Sequence, residues 1–315
     1  MIPANAPLFS IVMPVFNGAT HIRETIASLQ AQTLGDFELL VMDDGSTDNT
    51  ADIVQQLAAN DSRIILHRLT NGGAAYARNQ GVQRARGIYL AVNDADDLWP
   101  EDRLASQYAV LQEDDTRIVI GGVQRFTVDE CGEKKWGYTT KLPINNRNGK
   151  EYVQYVLTLP SNHMAIFHTF CAKKSIIEVQ GGWDETLRSA EDWDHWLRLG
   201  LHASFYHLDK VLLYYRKYSG SATSTAVKTR PLDAQLFIVD KIARLLPLNW
   251  WQQRNYASYH FSEAIHNFNY EKEYFLALQT ILHSVTASNL PLQKDFYCLI
   301  WDLFKGVARS LVGKR

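Results

Sequence analysis

The sequence predicts an α/β fold with a mostly parallel central sheet, followed by a helical extension at the C-terminus. Short apolar runs alternate with amphipathic helical segments in the first part of the chain, as in sheets covered by helices on both faces. Polar clusters follow directly after several of these runs. From about residue 229 the pattern is almost wholly helical, interrupted by Pro231, Pro247 and Pro291.

Four apolar runs predict the first strands of the sheet. Each is short, rich in β-branched or aromatic residues and bounded by turn-forming residues. The predicted strands are 9–13, which stops at Pro14, then 37–42, 63–69 and 88–92. Between them, apolar residues at helical spacing predict helices at 22–32, 48–59 and 74–86.

Polar side chains stand at the carboxyl ends of three predicted strands. Asn17 follows the first strand, Asp43–Asp48 the second and Asn93–Asp97 the fourth. In open α/β sheets, ligands bind beyond the carboxyl ends of the strands. We therefore expect the three clusters to converge on one crevice.

Charge, cysteine content and hydropathy narrow the class of protein. The 315 residues carry a formal net charge of −2, which argues against binding nucleic acid by bulk electrostatics. The three cysteines, Cys131, Cys171 and Cys298, show no zinc or disulfide spacing and favour a reducing cytoplasm. The N-terminal segment lacks the basic region of a signal peptide, and no apolar run reaches the about 18–20 residues of a membrane span.

The acidic cluster of Asp94, Asp96 and Asp97 fits a metal site. Alternate positions of an extended chain share a face, so Asp94 and Asp96 can point the same way. Paired carboxylates suit Mg²⁺ or Mn²⁺, which complete their shell with diphosphate oxygens and water. The same loop can instead cap a following helix, because aspartate favours helix N-termini. The residues alone leave both interpretations open.

Two further segments offer contacts to a nucleotide. Asp44 can accept hydrogen bonds from a nucleobase or ribose, while Ser46–Asp48 favours a turn and a helix cap. Gly72 and Gly73 precede a predicted helix whose N-terminus attracts anions, and Arg78 can add a charge-assisted contact to a donor. An ordinary loop followed by a surface arginine explains the same pattern.

Glu191 and Asp192 stand just before an apolar helical pattern. At a helix N-terminus the dipole favours an ionised carboxylate, which is the form that a general base requires. The common preference of acidic residues for helix starts accounts for the pattern equally well. Trp193 beside the pair is the tryptophan best placed to stack on a sugar ring.

Five motifs, in order and at the right spacing, resemble those of the family 2 inverting glycosyltransferases. They are SIVMPVFN, ELLVMDDGSTD, NGGAAYARNQGV, IYLAVNDADDLWPEDRL and GGWDETLRSAEDWDHWLRL. The resemblance covers roughly residues 8–225 and implies a GT-A fold. Its nucleotide-sugar half would span about 1–110 and its acceptor half about 111–225, with 226–315 as a C-terminal helical subdomain.

The resemblance also implies a role for each site residue. Asp192, with Glu191 beside it, would deprotonate the acceptor hydroxyl, and Asp96 would bind Mn²⁺ or Mg²⁺. The residues that would bind the donor are Pro14, Phe16, Asn17, Asp44, Arg78 and Asp94. The implied reaction is a single displacement with inversion and no covalent sugar–enzyme intermediate.

The expected partners are a nucleotide-sugar, with UDP favoured, and a glycan or lipid-linked acceptor in surface polysaccharide or glycolipid biosynthesis. A helical stripe from Phe296 to Leu311 has basic neighbours. It can lie on the inner face of the cell membrane, or pack on the protein itself or on a second subunit. Two other functions stay open: a nucleotidyltransferase, which shares the α/β layout, and a non-catalytic nucleotide-sugar binding protein.

Overall fold

The computed structural model describes residues 6–141, 151, 166, 168–187 and 191–218. Its strands are β1 (Phe9–Val15), β2 (Phe37–Asp43), β3 (Ile64–Arg68), β4 (Tyr89–Val92), β5 (Arg117–Val128), β6 (Lys134–Thr140), β7 (Cys171–Lys173) and β8 (Ser204–Arg216). Its helices are α1 (Ile22–Gln30), α2 (Thr50–Ala58), α3 (Ala74–Arg84), α4 (Arg103–Glu113), α5 (Lys174–Gln180) and α6 (Glu191–Gly200).

The eight described strands form one sheet in the order β3-β2-β1-β4-β7-β5-β6, with β8 also paired to β5. β1 to β4 are mutually parallel, and a helix lies on each connection between them. β7 is antiparallel to both β4 and β5, β6 is antiparallel to β5, and β8 is parallel to β5. The mostly parallel α/β sheet predicted from the sequence is confirmed.

The core lies around the parallel strands. β1, β2 and β4 are buried along their whole length. Parallel strands covered on both faces carry near-continuous apolar runs, which is why these segments were recognisable in the sequence. β6 differs, because six of its seven residues are exposed. Lys134 and Lys135 at its start are typical of an edge strand that must not pair with other chains.

β1 continues through Pro14 to Val15, so the strand end predicted at Pro14 is wrong. Proline lacks a backbone N–H and disturbs a strand only where a neighbour would accept that hydrogen bond. The N–H of Asn93, just past β4, donates to Val12, and the N–H of Asp44 donates to Val15 on the β2 side. Since successive residues alternate sides, Pro14 faces the side where β4 has already ended.

Gly81 lets α3 lie very close to the parallel sheet. A Cβ at this position would overlap Cγ1 of Val12 and lie 3.2 Å from Cγ of Met42. A larger residue would therefore push the helix away from β1 and β2. The close packing fixes the preceding turn of α3, which carries Arg78 and Asn79 to the carboxyl end of the sheet.

Backbone contacts divide the chain into two units, 1–153 with 161–238 and 154–160 with 239–315. All described residues belong to the first unit. The predicted boundary at 225, the helical subdomain 226–315 and the stripe from Phe296 to Leu311 lie outside the described residues and stay predictions. Among the helices that are described, none is long and apolar enough to cross a membrane.

Candidate functional site

Asn17 connects the loop after β1 to the loop after β2. Its φ of 51° is a left-handed conformation that asparagine adopts more readily than most residues. Its Oδ1 accepts the N–H of Thr47 at 2.8 Å, and its own N–H donates to Oγ of Ser46 at 2.9 Å. Beside it, the ring of Phe16 is 52% exposed, whereas Pro14 is buried in β1. An exposed ring at a strand end can stack on a planar ligand.

Asp44 anchors the glycine loop that precedes α3. The residue is buried, and its two carboxylate oxygens accept the N–H groups of Gly72 and Gly73, each at 2.8 Å. Nδ2 of Asn71 donates to the Asp44 carbonyl at 2.9 Å. A carboxylate offers about four acceptor positions. Asp44 can therefore bind a nucleotide, as predicted, only by sharing oxygens that already hold this loop.

Arg78 lies at the centre of three carboxylates. Its Nη2 is 2.9 Å from Oδ1 of Asp94, and its Nη1 is 3.1 Å from Oε1 of Glu191 and 2.9 Å from Oδ1 of Asp192. The side chain is 4% exposed. Burial opposes its charge, but the attraction of the three carboxylates outweighs burial and raises the pKa of Arg78. The alternative of a surface arginine is wrong.

Asp192 has one fixed and one unbonded carboxylate oxygen. Besides Arg78, the indole Nε1 of Trp183 donates to its Oδ1 at 3.1 Å. None of the residues in the described ranges donates a hydrogen bond to Oδ2, and the side chain keeps 28% of its surface exposed. The first helical turn of α6 carries this carboxylate, where the helix dipole favours its ionised form.

Glu191 begins α6, as its sequence position predicts. Burial, and then the negative charge of Asp192, raise the pKa of Glu191 above its ordinary value, while Arg78 opposes them. The two acidic neighbours therefore differ: the side chain of Glu191 is 17% exposed, whereas that of Asp192 is 28% exposed.

The segment before α6 is fastened to α3 by Asn79. Its Oδ1 accepts the N–H of Trp183 at 2.8 Å, and its Nδ2 donates to the Trp183 carbonyl at 2.9 Å and to Oε1 of Glu185 at 2.7 Å. Gly182 lies in this segment with φ of 73°, and a Cβ there would come 2.5 Å from Oδ1 of Asn79. Arg78 and Asn79 together bring the acidic helix to the ends of the parallel strands.

The loop after β4 concentrates negative charge. Tyr218 donates its hydroxyl to Oδ2 of Asp96 at 3.1 Å, and Nε of Arg216 donates to the Asp96 carbonyl at 2.8 Å. Burial, and then repulsion by Asp94, raise the pKa of Asp96. Burial and its acidic neighbours raise the pKa of Asp97 more strongly. A cation near Asp96 would relieve this repulsion.

From its sequence position between the two candidate regions, His168 could touch an acceptor or diphosphate, but a lone histidine is more often structural, so it is not among the predicted site residues. Its Nδ1 lies 3.3 Å from Oδ2 of Asp94, and its Nε2 lies 3.9 Å from Oδ2 of Asp192. Burial alone would raise the pKa of Asp94, but the attraction of His168 and Arg78 lowers it. His168 thus lies between Asp94 and Asp192.

A small cavity beside Asp192 is formed mainly by buried rings. Trp183, 3% exposed, stacks on His195 with ring centroids 3.7 Å apart. Trp193, predicted to stack on a sugar, is only 5% exposed, so that prediction is wrong, and the tryptophan in contact with Asp192 is Trp183. The cavity is lined by Val92, His168, Phe170, Trp183, Asp192, His195 and Trp196.

Residues 10–177 match a family model described as Glycosyl transferase family 2. GlyG, a glycosyltransferase of Streptococcus pneumoniae, is 34% identical over 134 residues, which are 42% of this chain and 44% of that protein. RP339, an uncharacterized glycosyltransferase of Rickettsia prowazekii, is 30% identical over 223 residues, 70% of this chain and 68% of that protein. The chondroitin synthase of Pasteurella multocida is 31% identical over 220 residues, 69% of this chain and 21% of the synthase.

This chain therefore spans less than half the length of GlyG and of the chondroitin synthase. Two solved structures share its fold. TarS of S. aureus, residues 1–349 in complex with UDP, aligns with a TM-score of 0.66 at 21% identity, covering 98% of this chain and 92% of that one. The mannosyltransferase PcManGT of Pyrobaculum calidifontis, in complex with GDP-Man and Mn²⁺, aligns with a TM-score of 0.57 at 19% identity, covering 98% and 82%.

The sheet of β1 to β8 is thus a GT-A fold, as the motifs imply. The family model spans more than half of the chain, and RP339 matches over most of both proteins. The chain belongs to glycosyl transferase family 2.

Proposed function

We propose that the chain moves a sugar from a nucleotide-sugar, a UDP-sugar in the first instance, to a hydroxyl group by an inverting displacement. The observation that carries this proposal is the state of Asp192. Arg78 and Trp183 hold its Oδ1, while Oδ2 accepts no hydrogen bond from the described residues. A positioned, ionised carboxylate with one unbonded oxygen can take a proton from an incoming hydroxyl.

The proposed reaction is one displacement at the anomeric carbon. The acceptor hydroxyl gives its proton to Oδ2 of Asp192 while its oxygen attacks the anomeric carbon. The bond from that carbon to the diphosphate oxygen breaks on the opposite side, and its electron pair leaves with the nucleoside diphosphate. Arg78 keeps the base at a fixed position relative to Asp94, which approaches the donor ribose in this proposal.

A divalent cation fits the loop after β4. Repulsion around Asp96 favours a positive neighbour, and oxygen ligands suit Mn²⁺ or Mg²⁺. Within the described residues no group of three or more His, Cys, Asp or Glu side chains is arranged to hold a metal. In this proposal Asp96 is a protein ligand, and diphosphate oxygens and water complete the shell. When bound, the ion would neutralise the charge of the leaving diphosphate.

The donor pocket in this proposal lies across the ends of β1 and β2. Exposed Phe16 offers a stacking surface, Pro14 and Asn17 shape the turn beneath it, and Asp44 provides acceptors for a base. The complexes of TarS with UDP and UDP-GlcNAc support a UDP-sugar, while PcManGT with GDP-Man shows that this fold also serves GDP.

The acceptor in this proposal is a glycan or glycolipid of the cell surface. The name chondroitin synthase supports a polysaccharide product. The peripheral membrane contact stays a prediction, because the C-terminal helix lies outside the described residues. The cytoplasmic location and a homo-oligomer also stay predictions.

A panel of UDP-, GDP- and dTDP-sugars tests the proposal in the presence of Mn²⁺. Ligand binding to the folded state raises the thermal midpoint, so the donor should give the largest increase. With the best member, the chain should slowly release a free nucleoside diphosphate when water replaces the acceptor. Release of pyrophosphate would indicate a nucleotidyltransferase instead. Binding without any product, even with glycan acceptors present, would indicate a non-catalytic binding protein.

A further inference from the structure

Among the described residues, none donates a hydrogen bond to the second carboxylate oxygen of Asp192. Oδ1 receives two donors, the guanidinium of Arg78 and the indole of Trp183. Nε2 of His168 lies 3.9 Å from Oδ2. This distance is too long for a hydrogen bond, but contacts in unliganded sites often tighten when the substrate is bound.

His168 presents both of its ring nitrogens to carboxylates. Nδ1 is 3.3 Å from Oδ2 of Asp94, and Nε2 faces Oδ2 of Asp192. A neutral imidazole carries one N–H and one lone pair, and its tautomer follows the stronger acceptor beside it. In the neutral ring the proton belongs on Nδ1, because Asp94 is the closer acceptor. The lone pair of Nε2 then points toward the oxygen that takes the acceptor proton.

The backbone around His168 is fixed by neighbouring elements. Nη2 of Arg103 on α4 donates to the His168 carbonyl at 3.1 Å. Gln107 on the same helix donates to the Thr169 carbonyl at 2.8 Å, and the N–H of Gly121 donates to Oγ1 of Thr169 at 3.0 Å. An imidazole held at its backbone in this way can define the position of a partner side chain.

The surroundings strengthen any contact between His168 and Asp192. Both line the small cavity described above, whose other walls include Val92, Phe170 and Trp183. The side chain of His168 is 18% exposed. Apolar walls lower the local dielectric constant, so a hydrogen bond at this point is stronger than it is in water.

We propose that His168 is a positioning residue for the general base, acting on Asp192 through Nε2. When the acceptor hydroxyl gives its proton to Oδ2 of Asp192, the new O–H donates a hydrogen bond to Nε2 of His168. Asp94 holds the Nδ1–H and keeps the ring oriented. The proton remains on Asp192 until the product leaves, so no further reactant is needed. This inference rests on the proposed glycosyl transfer.

Two substitutions of His168 distinguish the role of Nδ1 from the role of Nε2. In His168→Asn, the amide nitrogen can take the place of Nδ1 and keep the contact to Asp94, but nothing reaches Asp192. In His168→Gln, the longer side chain can place its amide oxygen where Nε2 stood, and this oxygen can accept the hydrogen bond from protonated Asp192. His202→Gln is the matched control, since His202 is exposed on the turn after α6.

The measurement is nucleoside diphosphate release from the nucleotide-sugar that stabilises the wild type most, with Mn²⁺ and water as acceptor. Affinity for UDP alone is measured by calorimetry, and folding is checked by the thermal midpoint. We expect His168→Asn to lower kcat about 100-fold, the usual cost of a misplaced catalytic group. We expect His168→Gln to keep about ten times more activity than the asparagine variant, with donor KM and UDP affinity unchanged in both.

Each result decides between distinct hypotheses. Higher activity in His168→Asn than in His168→Gln, or equal activity in both, would overturn the role of Nε2. A loss of UDP affinity with unchanged kcat would place His168 on the donor side instead. If the wild type itself releases no nucleoside diphosphate from any member of the panel, the proposed function fails, and the inference fails with it.

Discussion

The parallel half of the sheet and the region that carries the candidate base obtain their site residues in different ways. At the ends of β1, β2 and β4, polar side chains follow their strands directly in the sequence. Asp192, by contrast, lies on α6, and it meets the loop after β4 through Arg78, 114 positions earlier in the chain. One site is therefore built partly by local sequence and partly by contacts between distant segments.

This difference affects how each region can be damaged. Asn17 holds the loop after β2 and Asp44 holds the glycine loop before α3, so the effect of a change at either should stay within the parallel half. Arg78 joins Asp94 to Glu191 and Asp192, so a change at this one position should reach both regions at once.

The largest effect is expected from Arg78→Met, which breaks the connection between the two regions. It leaves three neighbouring carboxylates without their shared cation, and their side chains are only partly exposed: 28% for Asp94, 17% for Glu191 and 28% for Asp192. Breaking a buried ionic group typically costs about 3–5 kcal/mol of unfolding free energy. We expect the thermal midpoint to fall by roughly 10 °C and sugar transfer to be lost.

Two controls make this prediction specific. Arg78→Lys keeps the charge but not the forked geometry, so it should recover part of the stability and little of the transfer. Arg68→Met removes an exposed arginine that pairs with Asp52 at 3.5 Å, and should change stability by less than about 1 kcal/mol. Equal midpoints for the Arg78 and Arg68 variants would show that Arg78 does not hold the regions together.

Asp192→Asn tests the region that carries the candidate base alone. The amide can still accept from Trp183, so the fold and UDP affinity should stay unchanged. Without a proton acceptor, kcat should fall about 10²- to 10⁴-fold, measured as nucleoside diphosphate release. Asp209→Asn, at an 88% exposed surface ion pair, is the control and should transfer normally. Normal transfer by the Asp192 variant would remove this residue from the role of base.

Asp96→Asn tests the parallel half of the sheet alone. Titration with UDP in the presence and absence of Mn²⁺ should show tighter binding with the metal for the wild type. The variant should lose at least about ten-fold of this metal-dependent gain, since even changes outside the ligand shell have such effects. Asp102→Asn, which removes an exposed ion pair to Lys210, should keep the full gain. If the Asp96 variant responds to Mn²⁺ like the wild type, the metal lies elsewhere.

The same contrast explains what the sequence could predict. The first four strands follow from apolar runs because both faces of a parallel sheet are buried, and their polar ends follow from the position of strand ends. Pro14 misled the prediction of one strand end. Whether its missing N–H costs a hydrogen bond depends on where β4 stops. Periodicity in one segment contains no information about the length of its neighbour.

The site residues of the region that carries the candidate base were predictable only through the motifs. Asp192 was identified by resemblance, but its surroundings depend on contacts that no local pattern encodes. Trp183 rather than Trp193 meets the base, because Asn79 fixes the backbone of Trp183 to α3. His168 comes into the site through α4, which holds its carbonyl, and β5, which holds the side chain of Thr169.

The last prediction concerns the pH dependence of stability. Burial, together with the charges of Arg198 and Arg78, lowers the pKa of His195 to about 3, against the hydrogen bond to the Gly182 carbonyl. The unfolded value is about 6.5, so only the unfolded state binds this proton at intermediate pH. Stability should be insensitive to His195 above pH 6.5 and fall by up to about 1.4 kcal/mol per pH unit from there toward pH 3.

His195→Asn isolates this contribution, because its amide can still donate to the Gly182 carbonyl, 3.2 Å from Nδ1 in the wild type. The variant loses the stacking on Trp183 and should be less stable at pH 8. Between pH 6.5 and 5, however, urea denaturation should show a smaller loss than in the wild type. His202→Asn, at an exposed histidine, should follow the wild type throughout. Parallel profiles for the wild type and His195→Asn would mean that His195 can be protonated in the folded state, and that the packing around Asp192 is looser than its buried rings indicate.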